Sequence, residues 1–195
     1  MPKGRVIFGL LKHRTIELPD VPTTRPTSDA LKEAMFNCLI HRFNINFSEW
    51  SVIDVFAGSG ALGIEALSLG APFGLFFEQN PVAYNVLRKN ILTLGIKERT
   101  AVLRVDVTKY KIQNILPKLG KKILVILDPP YKETKILRTQ VNKFIDILSE
   151  REFIITVETN DTTVLNDLCP THILSASGGK KLFIFHHPTL EEFNA

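Results

Sequence analysis

The chain is poor in residues that serve metal, thiol or membrane chemistry. It has two cysteines, Cys38 and Cys169, in no ligand or redox spacing. That argues against a disulfide frame or a zinc site and fits a reducing cytosol, so a cytoplasmic protein is expected. The five histidines, His13, His41, His172, His186 and His187, stand at neither metal nor triad spacing, so surface or packing roles are expected and no metal is assigned. Long apolar runs are also missing. The longest early one, Val6 to Leu11, is interrupted by Gly9 and closed by Lys12, too short for a signal-peptide core or a membrane span. No repeat, low-complexity linker or second domain of independent size is visible. Neither sign of charge dominates: the net charge of +4 is compatible with a polyanionic partner without requiring one. One domain with a sizeable core is expected from 195 residues, 45% of them hydrophobic.

What is present is more pointed. Asp128-Pro129-Pro130-Tyr131 follows the apolar run Ile123 to Leu127. Adjacent prolines fix two φ angles and donate nothing to a ladder, so the strand stops there and its last carbonyls turn outward. A carboxylate, free carbonyls and the flat face of Tyr131 suit an exocyclic amine on a stacked nucleobase.

Upstream, residues 52–67 read as strand, glycine loop and helix. Gly58, Gly60 and Gly63 match G-x-G-x-x-G, and Glu78 follows at about the 20 residues of the dinucleotide fingerprint. Asp54 sharpens this weak pattern. A carboxylate at the strand end repels a pyrophosphate and attracts a cation, and S-adenosylmethionine carries a sulfonium and an ammonium but no phosphate. Gly63 reads as a packing glycine with no ligand contact, and Glu65 as a solvent-facing or locally capping residue.

From residue 51 the pattern alternates strand and helix, which predicts a parallel α/β sheet. Strands are expected at 51–56, 73–77, 100–105, 123–127 and 153–157, with a closing hairpin at 171–176 and 182–186 joined through Gly178-Gly179. Helices are expected after Gly60, after the cap Asn80-Pro81, and from about Thr134 to Leu148. The first 27 residues differ: two β-like runs, Arg5 to Phe8 and Thr15 to Leu18, flank a basic turn at Lys12-His13-Arg14 and predict a small hairpin, whose basic tip either grips phosphates or is a scattered solvated face. Thr27-Ser28-Asp29 then starts a helix that runs to about Arg42, with Cys38 on its inner face. Thr27 either touches a cofactor carboxylate or simply caps this helix.

Arg25-Pro26-Thr27-Ser28-Asp29 with Phe36-Asn37, the loop from Asp54 to Gly63, and Asp128-Pro129-Pro130-Tyr131 together resemble the bacterial 16S ribosomal RNA guanine-N2 methyltransferase family, whose members are often labelled N6-adenine-specific methylases. The likeness covers nearly the whole chain in order. It departs in the N-terminal hairpin, where Gly9-Leu10-Leu11-Lys12-His13-Arg14 replaces the family's glycine-rich, Arg-Gly-Arg-bearing segment.

The resemblance implies a Rossmann-like α/β fold with a seven-stranded mixed sheet in the order 3-2-1-4-5-7-6, residues 28–195 forming the methyltransferase domain and residues 1–27 a hairpin extension with possible RNA contact. It implies S-adenosylmethionine as cofactor, leaving as S-adenosylhomocysteine. Cofactor positions would be Thr27, Asp54, Phe56, Gly58, Ser59, Gly60, Glu78, Gln79, Asp106 and Val107. Of these, Gly58 and Gly60 give backbone access, Glu78 accepts the ribose hydroxyls, and Asp106, ending the third strand, accepts from the adenine amine with Val107 over the ring. Asp128, Pro129, Pro130 and Tyr131 would carry catalysis. The implied substrate is 16S ribosomal RNA, within an assembled or partly assembled small subunit. Adenine N6 of DNA or RNA, a non-catalytic RNA-binding assembly role and a dinucleotide-dependent oxidoreductase remain as alternatives.

Overall fold

A computed structural model describes residues 2–21, 28–130, 136–175 and 179–188. A two-stranded antiparallel hairpin, β1 (Lys3–Arg5) and β2 (Thr15–Glu17), precedes helix α1 (Asp29–His41). The chain then alternates through β3 (Trp50–Asp54), α2 (Ala61–Ser68), β4 (Gly74–Phe77), α3 (Pro81–Thr93), β5 (Thr100–Leu103), β6 (Lys122–Leu127), α4 (Leu137–Leu148) and β7 (Glu152–Thr159), and closes with β8 (His172–Ser175) and β9 (Lys181–His187). The last seven strands form one sheet in the order β5-β4-β3-β6-β7-β9-β8. Numbered from its first strand, that is the 3-2-1-4-5-7-6 order of class I methyltransferases. Pairing is parallel from β5 through β7 and antiparallel for β9 and β8.

Period-two alternation divides the core between the two faces of the sheet. Val52, Phe76, Leu124, Ile154 and Ile184 pack with α1, α2 and α3. Ile53, Leu75, Val125, Ile155 and Phe183 pack with α4 and the 3₁₀ segments around Ile112 and Leu116. Burial on both sides explains why β6 reads as an unbroken apolar run. In α4 the buried positions Leu137, Gln140, Val141, Phe144 and Leu148 recur at helical spacing. Asn80 caps α3 through the Val82 and Ala83 amides, with Pro81 in the first turn, as expected. Ser28 caps α1 by accepting from the Leu31 amide. Thr27 lies outside the described residues.

Two expectations require correction. The hairpin register is shifted: its first strand is Lys3–Arg5, while Gly9–Leu11 forms a 3₁₀ turn. That turn sits against α2 so closely that a Cβ at Gly9, whose φ is +69°, would lie 1.9 Å from the Ser68 carbonyl oxygen. Glu65 does not face solvent. It is wholly buried and accepts from the Ile7 and Phe8 amides at 2.8 and 3.0 Å, while the buried Lys32 donates to it at 3.4 Å and to the Arg5 carbonyl at 2.8 Å. Ser68 completes this outer face, donating to the Phe8 carbonyl and accepting from the Leu11 amide. α2 is therefore buried on both sides, by the sheet and by the hairpin. Cys38 is half-buried against the core, and Cys169 is exposed. Among the described residues no helix is long and apolar enough to cross a membrane, and no histidine, cysteine or carboxylate cluster could hold a metal ion.

Candidate active site

Parallel pairing brings the carboxyl ends of β3, β4 and β6 to one edge of the sheet, where open α/β sheets receive ligands. A cleft of about 1230 Å³ opens there, larger than the roughly 300–1,000 Å³ of small-molecule pockets, which leaves room for a cofactor and part of a substrate. Its floor contains Asp54, Phe56, Gly58, Ser59, Glu78, Gln79, Asp106, Val107, Asp128, Pro129 and Pro130. Lys3, Gly4, Arg5, Thr15 and Ile16 of the hairpin also line it, so the N-terminal extension forms part of the cleft.

Asp54 ends β3 and is 2% exposed. Its Oδ2 accepts from the Gly63 amide at 3.0 Å, in the first turn of α2. Burial pushes its carboxyl up to about 7, opposed by that hydrogen bond and reinforced by the nearby Glu78 charge. A cation in the cleft would hold it ionised. Gly63 is a packing glycine: a Cβ there would lie 2.3 Å from the Phe76 ring and 3.1 Å from Asp54 Oδ2.

Glu78 follows β4 and joins the glycine loop to the next helix. Its Oε2 accepts from the Gly58 amide at 2.8 Å and its Oε1 from the Asn80 amide at 2.7 Å. An ideal Cβ on Gly58 would meet nothing within 4 Å, because that side of the loop opens onto the cleft. Bare backbone at this point, between the Asp54 and Glu78 carboxylates, fits a cationic ligand without phosphate such as S-adenosylmethionine. Gly60 has a packing reason of its own. It does not line the cleft; its φ is +84°, and a Cβ would lie 2.4 Å from Leu87 Cδ1. Glycine is required there by the left-handed turn and by the packing of α3.

Asp106 does not end β5, which stops at Leu103; it opens the following turn. Its Oδ1 accepts from the Thr108 amide at 3.0 Å and hydroxyl at 2.6 Å, and these hydrogen bonds, led by that of the hydroxyl, hold its carboxyl below the usual range. Lys143 of α4 fixes the same turn by donating to the Val107 and Tyr110 carbonyls at 3.2 and 3.1 Å.

At the other end of the cleft, Asp128 is half-buried, Pro129 buried and Pro130 half-buried, immediately after β6. Tyr131 lies outside the described residues.

Sequence reasoning missed Asn90. It is 3% exposed; its Oδ1 accepts from the Glu17 amide at 2.8 Å, and its Nδ2 donates to the Glu17 and Ser59 carbonyls, each at 2.9 Å. One amide thus ties hairpin, α3 and glycine loop together. A polar residue among the buried positions of α3 was the available signal.

The profile of the family described as "Conserved hypothetical protein 95" matches residues 4–185. The chain is 35% identical over 153 residues to "Putative rRNA methyltransferase YlbH" of Bacillus subtilis, covering 77% of this chain and 80% of that protein. It is 31% identical over 169 residues to "Ribosomal RNA small subunit methyltransferase D" of Buchnera aphidicola, covering 80% and 83%. A solved structure, "Putative methyltransferase yhhF from Escherichia coli", superimposes with a TM-score of 0.73 at 26% identity, covering 96% of this chain and 99% of that one. The sheet order, the cleft at its carboxyl edge and these likenesses agree: the chain belongs to the Conserved hypothetical protein 95 family and has the fold of class I S-adenosylmethionine-dependent methyltransferases.

Proposed function

We propose that the protein transfers a methyl group from S-adenosylmethionine to the exocyclic N2 of a guanine in 16S ribosomal RNA, in the cytoplasm, on an assembled or partly assembled small ribosomal subunit. The observation that carries this reading is one cleft holding both the carboxylates of Asp54, Glu78 and Asp106, at or just beyond the ends of their strands, and the Asp128-Pro129-Pro130 corner. The names of the relatives support ribosomal RNA as the substrate class.

S-adenosylmethionine supplies a methyl on a positively charged sulfur, already activated as a leaving group. The chain's part is to bind, orient and shield. Asp54 faces the cationic amino-acid end, Glu78 the ribose hydroxyls, and Asp106 with Val107 the adenine. A guanine N2 lone pair is delocalised into the ring, which makes the amine a poor nucleophile. Acceptors at Asp128 and the Pro129 carbonyl draw its hydrogens away from the ring plane and stabilise the positive charge that develops on nitrogen. Tyr131 is assigned the stacking face for the extruded base. The modest net charge of +4 suits an RNA read largely by its folded shape.

Mass spectrometry of ribosomal RNA nucleosides from a strain lacking the gene tests this. One N2-methylguanosine in 16S RNA should disappear and return on complementation. Unchanged N2-methylguanosine, or loss of N6-methyladenosine instead, would overturn it.

A further inference from the structure

The target end of the cleft contains a charged pair that the roles above leave unused. β6 and β7 pair in register with Leu127 opposite Val157, so Asp128 and Glu158 follow at the same level on neighbouring strands. β9 runs back with Leu182 opposite Glu158, which brings Lys180, two residues earlier, over the same edge. Lys180 Nζ donates to Glu158 Oε1. The glutamate side chain is 5% exposed and the lysine 17%, so the contact is largely withdrawn from water. Lys180 lines the main cleft with Asp128 and Pro129. Glu158 does not line that cleft and shares with Asp128 the lining of a second, small pocket.

We infer that Lys180 selects the target base by donating to O6 of guanine, and that Glu158 is the positioning residue that aims its ammonium. This rests on the guanine-N2 reading. The chemistry is complementary: lysine is only a donor and an ionised carboxylate only an acceptor. A guanine whose N2 amine meets Asp128 and the Pro129 carbonyl presents O6, an acceptor, at the far end of the same edge. Adenine held by its N6 amine presents a C–H there, which offers the ammonium no acceptor beyond the Glu158 carboxylate it already holds. The order from β6 toward β9, acceptor then donor, therefore matches guanine. A site that hydrogen-bonds a polar group of the right base favours it over analogues that lack that group.

The test uses small subunits reconstituted on 16S RNA that carries either guanine or 2-aminopurine at the mapped target. 2-Aminopurine keeps the N2 amine and lacks O6. Unmodified protein should prefer guanine. Lys180→Met should lower kcat/KM on guanine roughly 10- to 100-fold, the worth of one charge-assisted hydrogen bond, while changing the 2-aminopurine value by no more than about twofold. Lys180→Arg should restore part of the guanine rate, since it retains a donor. Because Lys180→Met leaves Glu158 buried without that partner, the double variant Lys180→Met with Glu158→Gln is measured beside it and should show the same loss of base preference. S-adenosylhomocysteine affinity should be unchanged throughout. Equal losses on both bases would show a merely structural role and overturn the inference, as would an unaltered preference. Failure of the unmodified protein to methylate guanine would overturn the reading beneath it, and the Lys180 assignment with it.

Discussion

Asp54→Asn should make the ligand-free protein more stable at alkaline pH and weaken its hold on the cofactor. Burial raises the Asp54 carboxyl from 3.8 to about 7. Between those values the folded chain keeps a proton that the unfolded chain has lost, so stability is full below about pH 4 and falls as pH rises through 7. The separation of about three pH units corresponds to roughly 4 kcal/mol, reached in full above pH 7. Asparagine is permanently neutral and can still accept from the Gly63 amide. Its buried NH₂ lacks a ready partner, which costs about 1–3 kcal/mol. The net gain at pH 8.5 is therefore about 1–3 kcal/mol, or roughly 2–10 °C in Tm for a domain of this size. The advantage should shrink by about 1.4 kcal/mol per unit between pH 7 and pH 4. Thermal unfolding of both ligand-free proteins across pH 4.5 to 8.5 is the assay. A Tm difference that does not change with pH would refute the reasoning. Calorimetry on the same pair should show weaker S-adenosylmethionine binding by the variant, and binding by the unmodified protein that weakens as pH falls below 7.

Two further predictions concern the hairpin. Glu65→Ala removes the acceptor of the Ile7 and Phe8 amides and leaves the buried Lys32 without one of its carboxylates; it should cost about 3–5 kcal/mol in urea unfolding, and trypsin should then cut near Lys12 and Arg14. Asn90→Ala orphans groups of Glu17 and Ser59 and should cost about 1–3 kcal/mol. Because Ser59 belongs to the glycine loop, the same variant should also lower cofactor affinity in calorimetry, whereas Glu65→Ala, which does not touch that loop, should lower it less.

The features legible in the sequence were the local ones. Strand, glycine loop and helix from Val52 to Leu67, the Asn80-Pro81 cap and the proline corner after β6 are each encoded within a few adjacent residues, and the sheet order followed from the family they resemble. The misread residues depend on partners far along the chain. Glu65 looks solvent-facing on α2 until the hairpin, 57 residues earlier, covers it. Asn90 reads as an ordinary polar helix residue until Glu17, 73 residues away, meets it. At Gly60 the motif names the glycine, but only the packing of Leu87 shows why no side chain fits. Lys180 and Glu158 are brought together by the antiparallel return of β9, which no local pattern announces.

The central claim is that the carboxylate row holds the methyl donor while Asp128 prepares the amine. Single-turnover methyl transfer to small subunits from the deletion strain, with S-adenosylhomocysteine affinity measured in parallel, separates these two parts. Asp128→Ala should abolish transfer to guanine N2 and keep cofactor affinity within a few-fold of the unmodified protein. A variant that methylates at the full rate, or one that loses cofactor binding together with transfer, would contradict that division of roles.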